Sequence, residues 1–350
     1  TRSYSVTGVQ TCALRSVFFR GREIPVYIKG ESQGLFEYIE FYAQKNDAWA
    51  DSVIYQDSES VSNPYYSMIS DTSAYFFTWN NLFTNKRYQD VNDINFSGLS
   101  PANHIWAESI TQYKGKYLEG LANCQYTTGE GWFDEASLNL GSNLTKNINL
   151  LPVFTSGPDA TLEISIAGYS AHPHHLRVLS NSTLLLDTIY SGYKTMRTML
   201  KSNAANFQQQ NQFVFQSVDD MSAPTSGQRL GMIRLRYPAQ PNAGNSNSFR
   251  FEISASAQKT YIELSGFVIG NQAPVLYDPN NQRRIKTVIS GNVVKFVIPP
   301  VQTETKFILI SAEGTFTSNS VQPAIFTNFT NLQSKYLIIT HPSLYDAAQN

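Results

Sequence analysis

The chain has 350 residues, of which 41% are hydrophobic, 13% aromatic and only 15% charged, and its formal net charge is −1. The hydrophobic content excludes disorder over the whole chain, and a nearly neutral chain without clustered Lys and Arg excludes a groove that follows nucleic-acid phosphates. Because a domain averages roughly 150 residues, the length favours two domains. No apolar run approaches the roughly 20 residues that a bilayer span needs, so no membrane span is expected.

The first residues are set apart from the rest. The run from Val6 to Leu14 (VTGVQTCAL) resembles the in-frame translation of a common sequencing-library adapter. Such segments are excluded before a fold is predicted, so residues 1–15 are interpreted as an artefactual leader. Cys124 is then the single remaining cysteine, and a disulfide framework within the chain is not expected.

Strand patterns begin directly after this leader. Residues 24–28 and 35–42 are apolar and aromatic, and residues 74–79 (AYFFTW) are followed by two asparagines, which is typical of short strands. Residues 104–117 fit either a strand or one short helix, because so short a stretch does not reveal its period. We predict an N-terminal β domain over residues 16–128.

The pattern becomes more regular from Gly129 onward. Residues 161–166 alternate apolar and polar, which predicts a half-buried strand, and residues 275–285 fit a hairpin with a polar loop. Residues 194–212 tolerate a helix at their start, although a loop or an edge crossing fits equally well. Further strands are expected at residues 175–179, 183–186, 212–216, 231–237, 248–253, 260–267, 293–298 and 306–310. Many short strands separated by turns indicate an all-β sandwich or barrel, and we predict a β-sandwich over residues 129–334.

The last residues differ in character from this β-rich part. Residues 335–340 (KYLIIT) form a continuous apolar strand pattern, and a helix-compatible stretch follows. An α/β domain opens in this way. Residues 335–350 are therefore predicted to be the start of a truncated domain.

Short segments spread along the chain resemble gingipain-type cysteine peptidases, the large surface peptidases and the sortase-like component of the type IX secretion system of Bacteroidetes-type bacteria. The segments are residues 24–27, Gly34, 38–43, 63–67, 71–79, 129–133, 336–342 and 347–349. The last two resemble the opening strand and helix of the family's caspase-like α/β peptidase domain. The resemblance implies that the chain is the β-rich N-terminal region of such a protein.

The resemblance also implies what this region does. The family's chemistry uses a Cys nucleophile activated by a His. The resemblance implies that both of these residues would lie beyond Asn350. Neither His341 nor Cys124 matches them, so no catalytic residue is assigned here. The chain is expected to be a non-catalytic scaffold, located extracellularly or at the outer-membrane cell surface. The expected partners are its own peptidase domain and protein substrates or secretion-system components, and no cofactor is expected.

A histidine tract is the first candidate site suggested by the residues alone. His172, His174 and His175 are potential zinc ligands. In an extended segment, however, His174 and His175 point to opposite faces, and no Cys, Asp or Glu lies within a few residues. A loop between strands is favoured over a metal site.

Two other candidates are weighed in the same way. A pair of Cys124 and His104 lacks an oxyanion-hole glycine motif, so a structural thiol is favoured. Residues 90–95 (DVNDIN) are rich in oxygen ligands for Ca²⁺ but lack the glycine and distal glutamate of an EF-hand. A polar turn is the better interpretation.

Aromatic residues supply the alternative function, a carbohydrate-binding or adhesion module on a β-sandwich. The candidates for a stacking platform are Tyr65, Tyr66, Tyr75, Trp79, Trp106 and Trp132. Most of them are expected in the core. Glycosylation triplets occur by chance in so polar a chain; they begin at Asn95, Asn143, Asn181 and Asn328. No catalytic, cofactor-binding or metal-binding residue is assigned, and an enzymatic fragment would require His172, His174, Cys124 and an acid to converge.

Overall fold

The computed structural model describes residues 14–80, 85–120, 125–318 and 320–326. Over these residues the chain is nearly all β, which confirms the predicted fold class. The helical elements described are short 3₁₀ turns, at Glu31–Gln33, Asp51–Val53, Ser58–Ser60, Ala204–Asn206 and Ala312–Gly314. Residues 14–318 belong to one compact unit, and residues 320–326 belong to a second unit and carry no strand or helix.

The described strands are numbered in chain order. The first nine are β1 (Leu14–Phe19), β2 (Arg22–Ile24), β3 (Tyr27–Lys29), β4 (Tyr38–Glu40), β5 (Tyr75–Asn80), β6 (Gln89–Val91), β7 (Ile105–Gln112), β8 (Lys116–Glu119) and β9 (Glu130–Phe133). The next eight are β10 (Leu138–Asn139), β11 (Asn143–Asn149), β12 (Ala160–Gly168), β13 (Pro173–Ser180), β14 (Thr183–Ser191), β15 (Thr195–Ser202), β16 (Gln210–Ser217) and β17 (Gly227–Ala239). The last eight are β18 (Asn242–Ser246), β19 (Ser248–Ile253), β20 (Thr260–Phe267), β21 (Val275–Asp278), β22 (Arg283–Lys286), β23 (Val288–Ser290), β24 (Val293–Ile298) and β25 (Thr305–Ile310).

One ten-stranded sheet, which we call the long sheet, organises the chain. Its order is β15-β12-β17-β7-β19-β25-β21-β22-β6, and β10 pairs beside β17. Strand β7 pairs with β17 over eight residues and touches β19 through the single register pair Glu252 and Trp106. It therefore joins the two halves of the sheet.

Two four-stranded sheets complete the sandwich. Their orders are β11-β16-β13-β14 and β18-β20-β24-β23, and we call them the first and second small sheets. The same hydrophobic cluster contains inward-facing residues of all three sheets, such as Ile164 in β12, Phe215 in β16 and Phe296 in β24. Phe251 of the long sheet packs on Phe296 with ring centres 6.0 Å apart. Alternating apolar side chains of each strand thus fill one continuous layer between the sheets.

The chain before β6 builds a smaller structure. Strands β2, β1 and β5 form a three-stranded antiparallel sheet, and β3 pairs with β4. Val17, Ile28, Ile39 and Phe41 are buried in a separate small cluster. Residues 41–74, which contain two 3₁₀ turns and no strand, continue from this structure.

Several sequence predictions for this part need correction. Residues 24–28 were expected as one strand, but Pro25 separates β2 from β3, since proline cannot donate a ladder hydrogen bond. In residues 35–42 only Tyr38–Glu40 is a strand. Gly34 adopts a left-handed φ of 71° after a 3₁₀ turn, so the chain reverses before the strand begins.

Other predictions left the secondary structure open or underestimated how deeply a strand is buried. Residues 104–117 contain strand β7, and residues 194–212 contain no helix but the strand β15, a 3₁₀ turn and the start of β16. The predicted hairpin at residues 275–285 is confirmed by the pairing of β21 with β22. Strand β12 is buried on both faces, with Glu163 only 4% exposed, because residues before β6 cover its polar face.

The predicted domain boundaries remain predictions. Strands β6 and β7 precede the proposed boundary at Thr128, and both pair with strands that follow Gly129. Leu14 and Arg15 of the proposed leader belong to β1. The rest of that leader and residues 335–350 lie outside the described residues.

Candidate functional site

The structure gives each candidate site from the sequence analysis its own surroundings. The His104 ring stacks on Phe154 with centres 5.5 Å apart, and Trp106 packs edge-on against it at 6.0 Å. Burial lowers the pKa of His104. Cys124 lies outside the described residues, so the structure adds nothing on the proposed pair.

The oxygen-rich segment at residues 90–95 uses its carboxylates for other contacts. Asp90 forms an ion pair with Arg284 at 3.3 Å, and Asp93 accepts a hydrogen bond from Lys259 Nζ at 2.7 Å. Asp93 also accepts from the Asn95 backbone N–H at 3.1 Å, which closes a local turn. These contacts favour the polar-turn interpretation.

The histidine tract lies at the start of strand β13 rather than in a loop. As expected for extended backbone, its last two histidines face opposite sides. His174 is fully buried between the long sheet and the first small sheet, where its Nδ1 lies 2.8 Å from Ser226 Oγ and its Nε2 3.3 Å from the Gly192 carbonyl. The Tyr190 ring packs against it at 4.8 Å.

His175 has a different environment on the outer side of the same strand. Its Nδ1 lies 2.8 Å from an Asp220 oxygen, and its Nε2 lies 2.6 Å from an Asp187 oxygen. Arg177 donates to the other Asp187 oxygen at 2.8 Å. The sequence did not reveal these carboxylates, because they lie 12 and 45 positions away along the chain.

The pKa values of the two neighbours shift in opposite directions. Burial lowers the pKa of His174 against the opposing bond to the Gly192 carbonyl. Hydrogen bonds to Asp220 and Asp187 raise the pKa of His175. The two carboxylates sit on opposite ring nitrogens of His175 and cannot share one ion with it, and no group of His, Cys, Asp and Glu among residues 14–80, 85–120, 125–318 and 320–326 could hold a metal.

The proposed aromatic platform is dispersed. Trp132 packs edge-on against Tyr117, Tyr75 stacks on Phe19, and Lys114 covers the Tyr66 ring. The Trp106 ring carries the Arg236 guanidinium at 3.8 Å. Trp79 is the exception, with 68% of its surface exposed. These contacts do not present the rings on one concave face.

The asparagines that begin glycosylation triplets make structural contacts where the structure describes them. Asn181 turns the β13–β14 hairpin with a φ of 48°, and its side-chain amide donates to Asn211 Oδ1 at 3.0 Å. Asn95 accepts from the Ser97 backbone N–H at 3.0 Å. Asn143 begins β11, and Asn328 lies outside the described residues. The contacts give these side chains a role in turns.

The polar side chains that do converge lie on the outer face of the long sheet. We define this face as the side opposite the small sheets. Arg234 donates from Nε to Glu108 at 2.6 Å and from its NH1 nitrogen to Glu163 at 3.3 Å. Glu163 also accepts the Tyr65 hydroxyl at 2.8 Å and lies 3.5 Å from Arg197 Nε. The residues before β6 are thus tied to the sheet by buried polar contacts.

A second charged group lies beside it on the same face. Arg236 donates to Glu252 at 2.7 Å and also to Glu304, and Lys306 lies 3.4 Å from Glu252. Burial raises the pKa of Glu252, but the bond from Arg236 and the charge of Lys306 outweigh it, so the pKa lies below its ordinary value. Burial raises the pKa of Glu304 despite Arg236.

A crevice opens between these charges and the residues before β6. Its volume is about 440 Å³, and we call it the outer-face crevice. It is lined by Tyr42, Gln44, Trp106, Glu108, Ile110, Arg250, Phe251, Glu252, Pro279, Asn280, Lys306, Phe307 and Ile308. The Arg250 guanidinium lies 5.5 Å from the Tyr42 ring centre.

The chemistry available in the outer-face crevice is limited by this pairing. Glu108 and Glu252 each accept a hydrogen bond from an arginine, so neither carboxylate is an unpaired general base. The four described histidines, His104, His172, His174 and His175, do not line it. The crevice lies at a joint between two parts of the chain. The sequence analysis missed it, although alternation of apolar and charged residues in β17 and β19 is a signal that could have indicated it.

Comparison with known proteins shows a similar fold among solved structures but assigns no family to this chain. No family model matches the sequence, and no curated protein matches it. Among solved structures, dimeric latent PorU from Porphyromonas gingivalis matches 90% of this chain at a TM-score of 0.56 and 12% identity. The chain spans only 32% of PorU. The fold of this chain is therefore similar to that of about one third of PorU.

Carbohydrate-binding modules also resemble part of the chain, but weakly. CBM36 in complex with calcium and xylotriose matches 37% of this chain at a TM-score of 0.24 and 10% identity, over 98% of the module. The CBM36-1 domain of a xylanase from the hindgut metagenome of Trinervitermes trinervoides matches 37% at 0.23 and 9%, over 96% of that domain. Similarities at these TM-scores carry no inference. No helix within the described residues is long and apolar enough to cross a membrane.

Proposed function

We propose that this chain is a non-catalytic accessory region of a larger secreted cysteine peptidase of the gingipain type. The observation that carries the proposal is the fold similarity to PorU, which covers 90% of this chain but only 32% of PorU. High coverage of one chain together with low coverage of the other is expected when the first corresponds to one region of the longer protein. The ordered sequence segments that resemble the gingipain family support the same assignment.

The described residues are compatible with this role. The outer-face crevice is lined by ion-paired carboxylates and by no described histidine. On the same face the half-buried Tyr65 donates to the buried Glu163 and fixes one part of the chain on another. Such contacts suit a scaffold that positions a neighbouring domain. In this proposal the region packs against the peptidase domain and is located extracellularly or at the cell surface, and the parent protein processes other proteins.

The first test is to sequence the source DNA on both sides of this coding segment. We expect the reading frame to continue into an α/β domain that contains a His and a Cys. A stop, or a series of further β modules, would overturn the proposal.

A second test uses purified proteins. The chain alone should not hydrolyse a mixed fluorogenic peptide library, whereas the encoded peptidase domain should do so and should bind the chain in isothermal titration calorimetry. Hydrolysis by the chain alone would contradict the non-catalytic role. Absence of binding between the two would contradict the scaffold role.

The carbohydrate-binding alternative has its own test. Trp79 is the one exposed platform candidate among the described residues, so glycan binding should depend on it. If glycan-array binding were found and were abolished in Trp79→Ala but retained in Trp106→Phe, the adhesion function would replace the scaffold function. We expect no glycan binding above background.

A further inference from the structure

The loop between β16 and β17 is fastened by two adjacent histidines that are in contact with its two ends. Residues 218–226 form this loop. His175 holds Asp220 near its start, and His174 holds Ser226 at its end. Val218 adds a backbone hydrogen bond to the His175 carbonyl at 2.9 Å. We propose that His174 and His175 anchor this loop through opposite protonation states, so that it is held within a limited range of pH and released on either side.

The His175 anchor requires a charged imidazole. Both ring nitrogens lie within 2.9 Å of a carboxylate, and a carboxylate only accepts. Both nitrogens must therefore carry a proton. Loss of either proton leaves a lone pair facing a carboxylate, which turns an attraction into a repulsion.

The loop side of this anchor is the weaker one. Asp187 lies in β14, which is paired to β13, and it also accepts from Arg177. Asp220 lies outside any strand, and its carboxylate contacts only His175 within the part of the chain that the structure describes. Deprotonation of His175 is therefore expected to release Asp220 first.

The hydrogen bonds around His174 suit a neutral imidazole. A directed chain of hydrogen bonds leads to it: the Tyr190 hydroxyl donates to Gln228, whose side-chain amide donates to Ser217 at 3.1 Å and reaches Ser226 at 3.5 Å. Ser226 can then donate to His174 Nδ1 while Nε2–H donates to the Gly192 carbonyl. A second proton, on Nδ1, would turn Ser226 from donor into acceptor, and its hydroxyl hydrogen would lose the acceptor on His174.

The electrostatic surroundings agree with both assignments. The charged groups facing His175 are Asp187 from β14, Asp220 from the loop and Arg177 from its own strand. His174 has no carboxylate beside it within the described residues; the titratable groups near it are Tyr190 and His172. The pKa of His174 is lowered by burial, and that of His175 is raised by its carboxylates.

These pKa shifts decide how loop protection changes on the acid side and on the alkaline side of neutral pH. Below about pH 6.5 the open loop allows His174 to take up a proton that the closed loop excludes, so acid favours opening. The His175 contribution is complete below about pH 6.5 and is lost as the pH rises through its raised pKa. Protection of the loop should therefore be bell-shaped in pH. This inference does not depend on the proposed peptidase context.

Hydrogen exchange with mass spectrometry between pH 5 and 8.5, corrected for the intrinsic exchange rate, tests the proposal. We expect protection of residues 218–226 to fall by about tenfold on the alkaline side, the size of one charge-assisted hydrogen bond. His175→Gln should lower the maximum and abolish the alkaline limb. His172→Gln is the matched control and should retain the alkaline limb.

The result that would overturn the proposal is the same pH profile in wild type and His175→Gln. If either variant fails to fold, imidazole ¹⁵N NMR of the wild type decides. It should show His174 as the neutral Nε2–H tautomer and His175 as imidazolium at pH 6.5. A neutral His175 or a charged His174 at that pH would refute it.

Discussion

The two faces of the long sheet are built on different principles. The inner face presents Phe251, Phe307 and Leu309 to the small sheets and is filled by apolar side chains. The outer face presents Arg234 and Arg236, whose carboxylate partners join neighbouring strands. Both faces are covered, but the outer face combines these ion pairs with a small apolar cluster in which Tyr277, Ile308 and Ile310 pack against Tyr27 and Tyr42.

The difference shows how one sheet can serve as a core and as a joint. Apolar burial is non-directional and scales with area, so the inner face supplies most of the stability. Buried ion pairs regain little more than their desolvation cost, but they fix a unique arrangement of partners. The ion pairs of the outer face therefore add orientation to the apolar contacts that Tyr27 and Tyr42 make there.

The largest expected effect comes from breaking the inner face. Phe307→Ala removes a fully buried ring that stacks on Phe251 at 5.6 Å and leaves a cavity. It should lower the free energy of unfolding by about 3–5 kcal/mol in urea titrations. Phe76→Ala, at a ring that is 38% exposed, is the control and should cost far less. Equal losses would contradict the assigned core.

A smaller loss is expected when the outer face is broken. Glu163→Gln keeps the shape but removes the charge that faces Arg234 and Arg197, and should cost about 2 kcal/mol. The control is Glu263→Gln, an exposed carboxylate paired with Lys295, which should cost less than about 1 kcal/mol. If Glu163→Gln cost no more than the control, the outer contacts would not act as a joint.

Two adjacent tyrosines sharpen the same point. Tyr65→Phe removes the hydroxyl that donates to Glu163 and should cost about 1 kcal/mol in thermal or urea unfolding. Tyr66→Phe removes a hydroxyl with no bond to the described residues and keeps the ring beneath Lys114, so it should be nearly neutral. A reversed order would place the joint elsewhere.

The smallest effect concerns β13 of the first small sheet, where the buried His174 and the partly solvent-facing site of His175 are neighbours on one strand. His175→Gln should reduce stability at pH 5.5 by at most about 1 kcal/mol, because its partner carboxylates are partly exposed. The raised pKa of His175 means that its contribution is present below about pH 6.5 and lost as the pH rises. The difference from wild type should therefore vanish by about pH 8.5, and a difference that grew with pH would contradict the sign.

The strands could largely be predicted from the sequence because their signals are local. Residues 248–253, 260–267 and 293–298 were predicted with the bounds that the structure has, since apolar alternation and flanking turn residues define a strand without reference to its partners. The prediction failed at residues 194–212, where polar side chains on an edge strand hid the pattern. Residues 35–42 failed because a turn displaced the start of the strand.

The candidate site could not be predicted in the same way. The sequence around His175 contains no nearby acid, and the fold brings Asp187 and Asp220 to it from β14 and from a loop. Residues 161–166 were predicted as a half-buried strand, but Tyr65, 98 positions before Glu163, covers its polar face. Such contacts depend on sheet order, which short-range patterns do not encode.

The sequence by itself determined the all-β class, most strand positions and the opposite orientation of His174 and His175, because each follows from the period of extended backbone. Only the tertiary structure decided that one long sheet joins both parts of the chain, that its outer face meets the residues before β6 through both ion pairs and apolar contacts, and that the two histidines have opposite charge preferences. The physical reason is that strand pairing and desolvation act between residues far apart in the chain. Their energies depend on which groups meet and on how much water is excluded when they do.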